Sequence, residues 1–76
     1  MKRPSEMQRR ILLLLARGAR IEDEGRQAVL RDGVVREDLR KTSYGALREQ
    51  GWLTQTGPRV WGLSQAGRKA LEGGAR

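Results

Sequence analysis

Apolar residues along the chain fall into short groups whose spacing changes from helical to strand-like and back. Ser5 followed by Gln8 is a capping-box pattern placed immediately before Ile11-Leu12-Leu13-Leu14-Leu15, so a helix is predicted to start there and to end near Gly18. Met7, Ile11, Leu14 and Leu15 share one face of that helix, with Leu12 and Leu13 extending the apolar surface round its sides. This helix is expected to be the central pillar of the core, and Leu14→Ala to cost ~2–5 kcal/mol. Arg9, Arg10 and Arg17 occupy its remaining surface.

From Ala19 to Arg36 the pattern admits two readings. Ile21, Ala28-Val29-Leu30 and Val34-Val35 read as short strands joined at Glu24-Gly25 and Asp32-Gly33. Alternatively, residues 26–31 form the short second helix of a helix-turn-helix, since Gln27-Ala28-Val29-Leu30 has little β preference. Beyond this stretch, Glu37 or Asp38 can cap a helix that runs to about Gln50. Tyr44 and Leu47 would be its inward residues, and Gly51 the positive-φ residue at its end. Thr42, Gly45, Ala46 and Glu49 would then face outward, with Lys41 and Arg48 to one side. Trp52-Leu53-Thr54 and Arg59 to Leu63 form a hairpin around Gly57-Pro58. Ser64 caps a last short helix with Ala66, Ala70 and Leu71 as its apolar stripe. The fold class expected is α+β: helix, short strands, a recognition-type helix, a hairpin and a short closing helix in one domain over residues 1–76. A basic arm at 1–4 and a tail at 73–76 are expected to be flexible.

Composition narrows the chemistry. A chain of 76 residues holds one small domain that buries only roughly 60–65% of its unfolded surface. It has neither cysteine nor histidine, which leaves no disulfide framework and removes the usual ligands of a zinc site. Glu22-Asp23-Glu24 is a solvated polar turn with no further ligand at a defined spacing, so no metal and no cofactor is expected. A nucleophile paired with a base is not suggested by any spacing, and no P-loop is present, so an enzyme is not expected. The longest apolar run, Ile11 to Ala16, is far short of the ~20 residues that span a bilayer. A soluble, cytoplasmic protein without a membrane partner is the expectation.

The net charge of +7, carried mostly by arginine, favours phosphate-rich or acidic partners. Arg40, Lys41, Thr42, Ser43 and Arg48 lie on or beside the second helix, and Arg59 is projected by the Gly57-Pro58 turn. These are the candidate nucleic-acid contacts, with Arg9 and Arg10 as additional phosphate contacts. Trp52 and Trp61 are expected to pack in the core or across strands rather than to stack on bases.

Gly51-Trp52-Leu53, the hairpin, and Leu63-Ser64-Gln65-Ala66-Gly67-Arg68-Lys69-Ala70-Leu71 together resemble the wing and following helix of bacterial winged helix-turn-helix regulators. Across most of the chain, Gln8-Arg9-Arg10, Leu15-Ala16-Arg17-Gly18-Ala19-Arg20-Ile21, Gly25-Arg26, Gly33, Tyr44 and Leu47 also resemble the YjhX family of small bacterial proteins. In that family a second glycine is favoured where Ala19 stands, and the intervening hairpin is longer. The first resemblance implies transcription regulation by binding double-stranded DNA, with the Thr42 to Gln50 helix toward the major groove and the Gly57-Pro58-Arg59 wing on the backbone. The second implies a toxin of a toxin–antitoxin pair with a winged-helix-like layout. The alternative function is therefore a toxin-like or phage-encoded inhibitor that binds and blocks a host protein, the partner being a host protein with an acidic surface that the arginines would meet. Small outward residues on one short helix read few bases, so DNA specificity is expected to be modest unless the chain forms a homodimer.

Overall fold

In a computed structural model, residues 3–74 are described, and the side chains of 73 and 74 are not. The flexible arm and tail expected at the two ends lie in part outside those residues, at 1–2 and 75–76. The chain runs α1 (Glu6–Ala16), β1 (Arg20–Asp23), β2 (Ala28–Asp32), β3 (Val35–Leu39), α2 (Lys41–Glu49), β4 (Leu53–Gly57), β5 (Val60–Leu63) and α3 (Gln65–Gly74). Among the described residues this is a small α+β domain of three helices and one five-stranded antiparallel sheet, ordered β3-β2-β1-β5-β4. A winged helix-turn-helix has a helix between its first strand and its recognition helix. Here the β2–β3 hairpin stands in that place, so the helix considered over 26–31 does not form.

Local signals set the ends of α1. Ser5 Oγ accepts from the Gln8 backbone N–H (3.2 Å), and Gln8 Oε1 accepts from the Ser5 N–H (2.9 Å), so two donors at the helix start are satisfied reciprocally. The chain leaves the helix at Gly18, whose φ of +110° an L side chain rarely adopts. The buried face of α1 is Ile11, Leu12 and Leu15, whereas Leu14 is only half-buried and Met7 is exposed. The expected face was therefore rotated by part of a turn. Five consecutive apolar residues look alike from every side, and the sheet, whose position is a long-range matter, settles which of them turn inward.

The three-strand stretch follows the first of the two readings, with turns at Gly25 and Gly33, both of positive φ. Pairing β2 with β3 sets Ala28 opposite Leu39, Val29 opposite Asp38 and Leu30 opposite Glu37. Glu37 and Asp38 are consequently strand residues, and neither caps α2. Arg40 occupies the N-cap and makes no side-chain cap bond. The ladder to β2 satisfies those backbone groups of this segment that face β2, and Leu39 packs against the core, which together outweigh one capping bond.

Ile21 of β1, Leu30 of β2 and Leu53 of β4 join Ile11, Leu12, Leu15, Tyr44, Leu47 and Trp52 in the core. The hairpin β4–β5 pairs Leu53 with Leu63 and Gln55 with Trp61. Ser64 caps α3 as expected, its Oγ accepting from Gly67 N (3.0 Å) while its hydroxyl donates to Gly51 O (2.6 Å). Of the expected inner positions of α3, Ala70 is buried and Leu71 packs against the core, but Ala66 is exposed and Gly67 is buried instead. A Cβ at Gly67 would stand 2.5 Å from Trp52 O, so glycine is what lets α3 lie on the start of β4. No helix of the described residues is long and apolar enough to cross a membrane.

Candidate nucleic-acid interface

The second helix carries its inward residues where the spacing placed them. Tyr44 and Leu47 are buried, Thr42 and Glu49 are exposed, and Gly45 and Ala46 are half-exposed. Trp52 is buried, while Trp61 is half-buried and faces α2. Its ring meets Tyr44 edge-on, at 6.3 Å between centroids and 72° between planes. Arg48 lies over both rings, 4.7 Å from the Trp61 centroid and 5.4 Å from that of Tyr44. The guanidinium is thus positioned by π-faces, which leaves its N–H edge available to acceptors. Gly45, Arg48, Glu49 and Trp61 line an open cleft of about 420 Å³ between helix and hairpin.

Asp23, at the end of β1, ties the elements around this cleft together. Its Oδ1 accepts from Gly25 N (2.9 Å) and Lys41 Nζ (3.2 Å), and its Oδ2 accepts from Tyr44 Oη (3.2 Å). The Asp23 backbone N–H donates to Arg59 O (2.8 Å). One residue therefore contacts the first turn of α2, its middle, and the tip of the β4–β5 hairpin. The Gly25 N–H, followed by Lys41, holds the Asp23 carboxyl below its ordinary pKa, against the opposing effect of burial. Burial and the neighbouring Asp23 charge push the Tyr44 phenol up, so it remains a neutral donor.

The candidate contacts separate into groups. Arg40 is exposed at the start of α2, and Arg59 is exposed in the hairpin turn with φ of +59°, an uncommon conformation for a side-chain-bearing residue. The ion pairs among the described residues are Arg10–Glu37, Arg31–Glu22, Arg36–Glu24 and Lys41–Asp23, so Arg40, Arg48 and Arg59 take part in none of them. Lys41 is engaged with Asp23 and is a framework residue as much as a contact. Ser43 and Arg40 do not line the cleft but a groove on the β3 side of α2 that Met7, Arg10 and Leu39 also line. Arg10 donates bidentately to Glu37 at 3.0 and 3.1 Å, which lowers the Glu37 pKa and raises its own. Arg9, with its Nε buried and without a hydrogen-bond partner among the described residues, lies on α1 beside Leu13 and Arg17. Neither α1 arginine joins the α2–hairpin cleft.

No known protein family, curated protein or solved structure matches this chain. Asp23 is the site residue that sequence reasoning missed. Its only local signal is the short Asp23-Glu24-Gly25 turn, and the role it plays depends on β1 pairing with β5, which aligns Ile21 with Trp61 and Glu22 with Val60.

Proposed function

We propose that this domain binds double-stranded DNA with the outer face of α2 and the tip of the β4–β5 hairpin, as a small regulator of transcription. The observation that carries the reading is the Asp23 hub, which holds the helix bearing Arg48 and the turn bearing Arg59 in a fixed relation. Arg40, Arg48 and Arg59 are the phosphate contacts, and preorganisation of Arg48 on two rings reduces the ordering cost of binding. Thr42, Gly45 and Ala46 allow close approach to a groove without reading many bases, so affinity is mainly electrostatic. With a β2–β3 hairpin in place of the helix that normally crosses the backbone, the footprint is narrower than that of a helix-turn-helix module.

A second reading, a small inhibitor of a host protein, is favoured by the Trp61-floored cleft beside Gly45, which suits an inserted apolar side chain. It is the reading toward which the YjhX resemblance points. A titration of labelled duplex with three variants separates the two. Under the DNA reading Arg48→Ala and Arg59→Ala each weaken binding by a similar factor for all sequences, while Ala46→Leu changes it less. Unchanged DNA affinity in both arginine variants would remove the DNA reading. Loss of a captured host protein on Ala46→Leu, with Arg59→Ala tolerated, is the pattern expected of an inhibitor.

A further inference from the structure

β3 is an edge strand, paired with β2 on one side and with nothing on the other among the described residues. Its sequence, Val35-Arg36-Glu37-Asp38-Leu39, reads apolar, basic, acidic, acidic, apolar. Val35 is 60% exposed and Met7, which borders the helix side of this edge, is also 60% exposed. Residues that face each other across an antiparallel pair must share a sheet face, so two copies of β3 related by a two-fold axis can pair only about a residue. With the axis at Glu37, Arg36 of each copy lies opposite Asp38 of the other, and Val35 lies opposite Leu39. With the axis at Arg36 the two Arg36 side chains meet, and with the axis at Asp38 the two Asp38 side chains meet. Opposite charges across a pair are favourable and like charges are not, so the register about Glu37, with its two Arg36–Asp38 pairs, is favoured over the neighbouring slips; Arg36, which already bonds Glu24 of its own chain at 3.0 Å, would be shared between that carboxylate and Asp38 of the other copy. The remaining like pair, Glu37 on Glu37, lies on the helix side, where Arg10 already holds each carboxylate through two bonds.

We propose that β3 is a homodimer interface, at which a second copy of this chain adds its own β3 antiparallel about Glu37 to make one continuous sheet. Charged residues on an edge strand commonly serve to prevent pairing. Here the same charges complement themselves in a single alignment, which distinguishes an addressed edge from a blocked one. The pairing does not require the nucleic-acid reading: it leaves the cleft lined by Gly45, Arg48, Glu49 and Trp61 uncovered in both copies, while Arg40 stands just past the end of the paired strand. A five-residue strand on each side buries less than the ~1,200 Å² of stable complexes, so the dimer dissociates in the range of roughly 10 μM to 1 mM.

Sedimentation equilibrium across that concentration range tests it. The wild-type chain is expected to self-associate, Arg36→Asp alone and Asp38→Arg alone to stay monomeric, and an equimolar mixture of the two variants to associate again, because each then complements the other. Restoration in the mixture also shows that both variants are folded. The chain has no cysteine, so Glu37→Cys supplies a unique probe at the axis; mild oxidation should link it into a dimer faster than Val34→Cys, which is fully exposed yet falls outside the paired stretch. A wild-type chain that remains monomeric up to ~1 mM, a mixture that remains monomeric, or equal cross-linking at both positions would each overturn the proposal.

Discussion

Gly45 and Gly67 invite the same substitution with opposite results. Both lie within helices, where alanine is favoured over glycine by about 1 kcal/mol through backbone entropy and side-chain burial. At Gly45 an added Cβ meets nothing within 4 Å, so Gly45→Ala should stabilise the fold by about 0.5–1 kcal/mol. At Gly67 the Cβ meets Leu63 Cδ1 at 2.6 Å and Trp52 O at 2.5 Å. The leucine methyl can swing aside, but the carbonyl is backbone and already accepts from Ser64 N at 3.0 Å. The helix must lift from the start of β4, and overpacking of this kind costs about 1–3 kcal/mol, more than the helical gain. In a domain of this size each kcal/mol shifts the midpoint by about 4–8 °C. Thermal melts followed by circular dichroism, checked by urea midpoints, should therefore show Gly45→Ala a few degrees above wild type and Gly67→Ala below it, by up to about 15 °C. A Gly67→Ala midpoint equal to or above wild type would refute the packing of α3 on Trp52.

Leu12 is fully buried and Leu14 is not, so Leu12→Ala should cost about 2–5 kcal/mol and Leu14→Ala clearly less, as read from urea unfolding of the two variants. Acid stability should depend on Asp23. Its folded pKa lies below its unfolded value, so its contribution is complete above about pH 4 and is lost as pH falls through the folded pKa. Melting temperatures measured between about pH 2 and 7 should fall less steeply at the acid end in Asp23→Asn than in wild type, and identical slopes would contradict the hub. The same variant should lower the melting temperature at neutral pH, because Lys41 and Tyr44 both lose a charged acceptor.

Much of the fold was legible because its signals are local. Ser5 with Gln8, Gly51 at the end of α2, the Gly57-Pro58 turn and Ser64 before α3 each act within a few residues, and the elements they delimit lie where the spacing predicts. The departures have long-range causes. The rotation of α1 is set by the sheet beneath an unbroken apolar run, and Glu37 and Asp38 leave their capping role because β2 offers a backbone ladder and Arg10 a counter-charge. Gly67 carries no local mark of the Trp52 O that the fold sets against it. In the candidate site Arg48 and Arg59 were visible as exposed basic residues, whereas their fixed relation was not. That relation runs through Asp23, whose neighbours come from three separated segments, and an acidic turn carries no mark of them.

The most direct test of the DNA reading is fluorescence anisotropy of the protein with a labelled random duplex over a series of salt concentrations. Each phosphate neutralised contributes about −0.9 to the slope of log K against log salt, so Arg40, Arg48 and Arg59 together predict a straight line with a slope near −3. Arg59→Ala should flatten it by about one phosphate. Absence of binding at low salt by the folded protein would contradict the account and leave a protein partner as the reading to pursue.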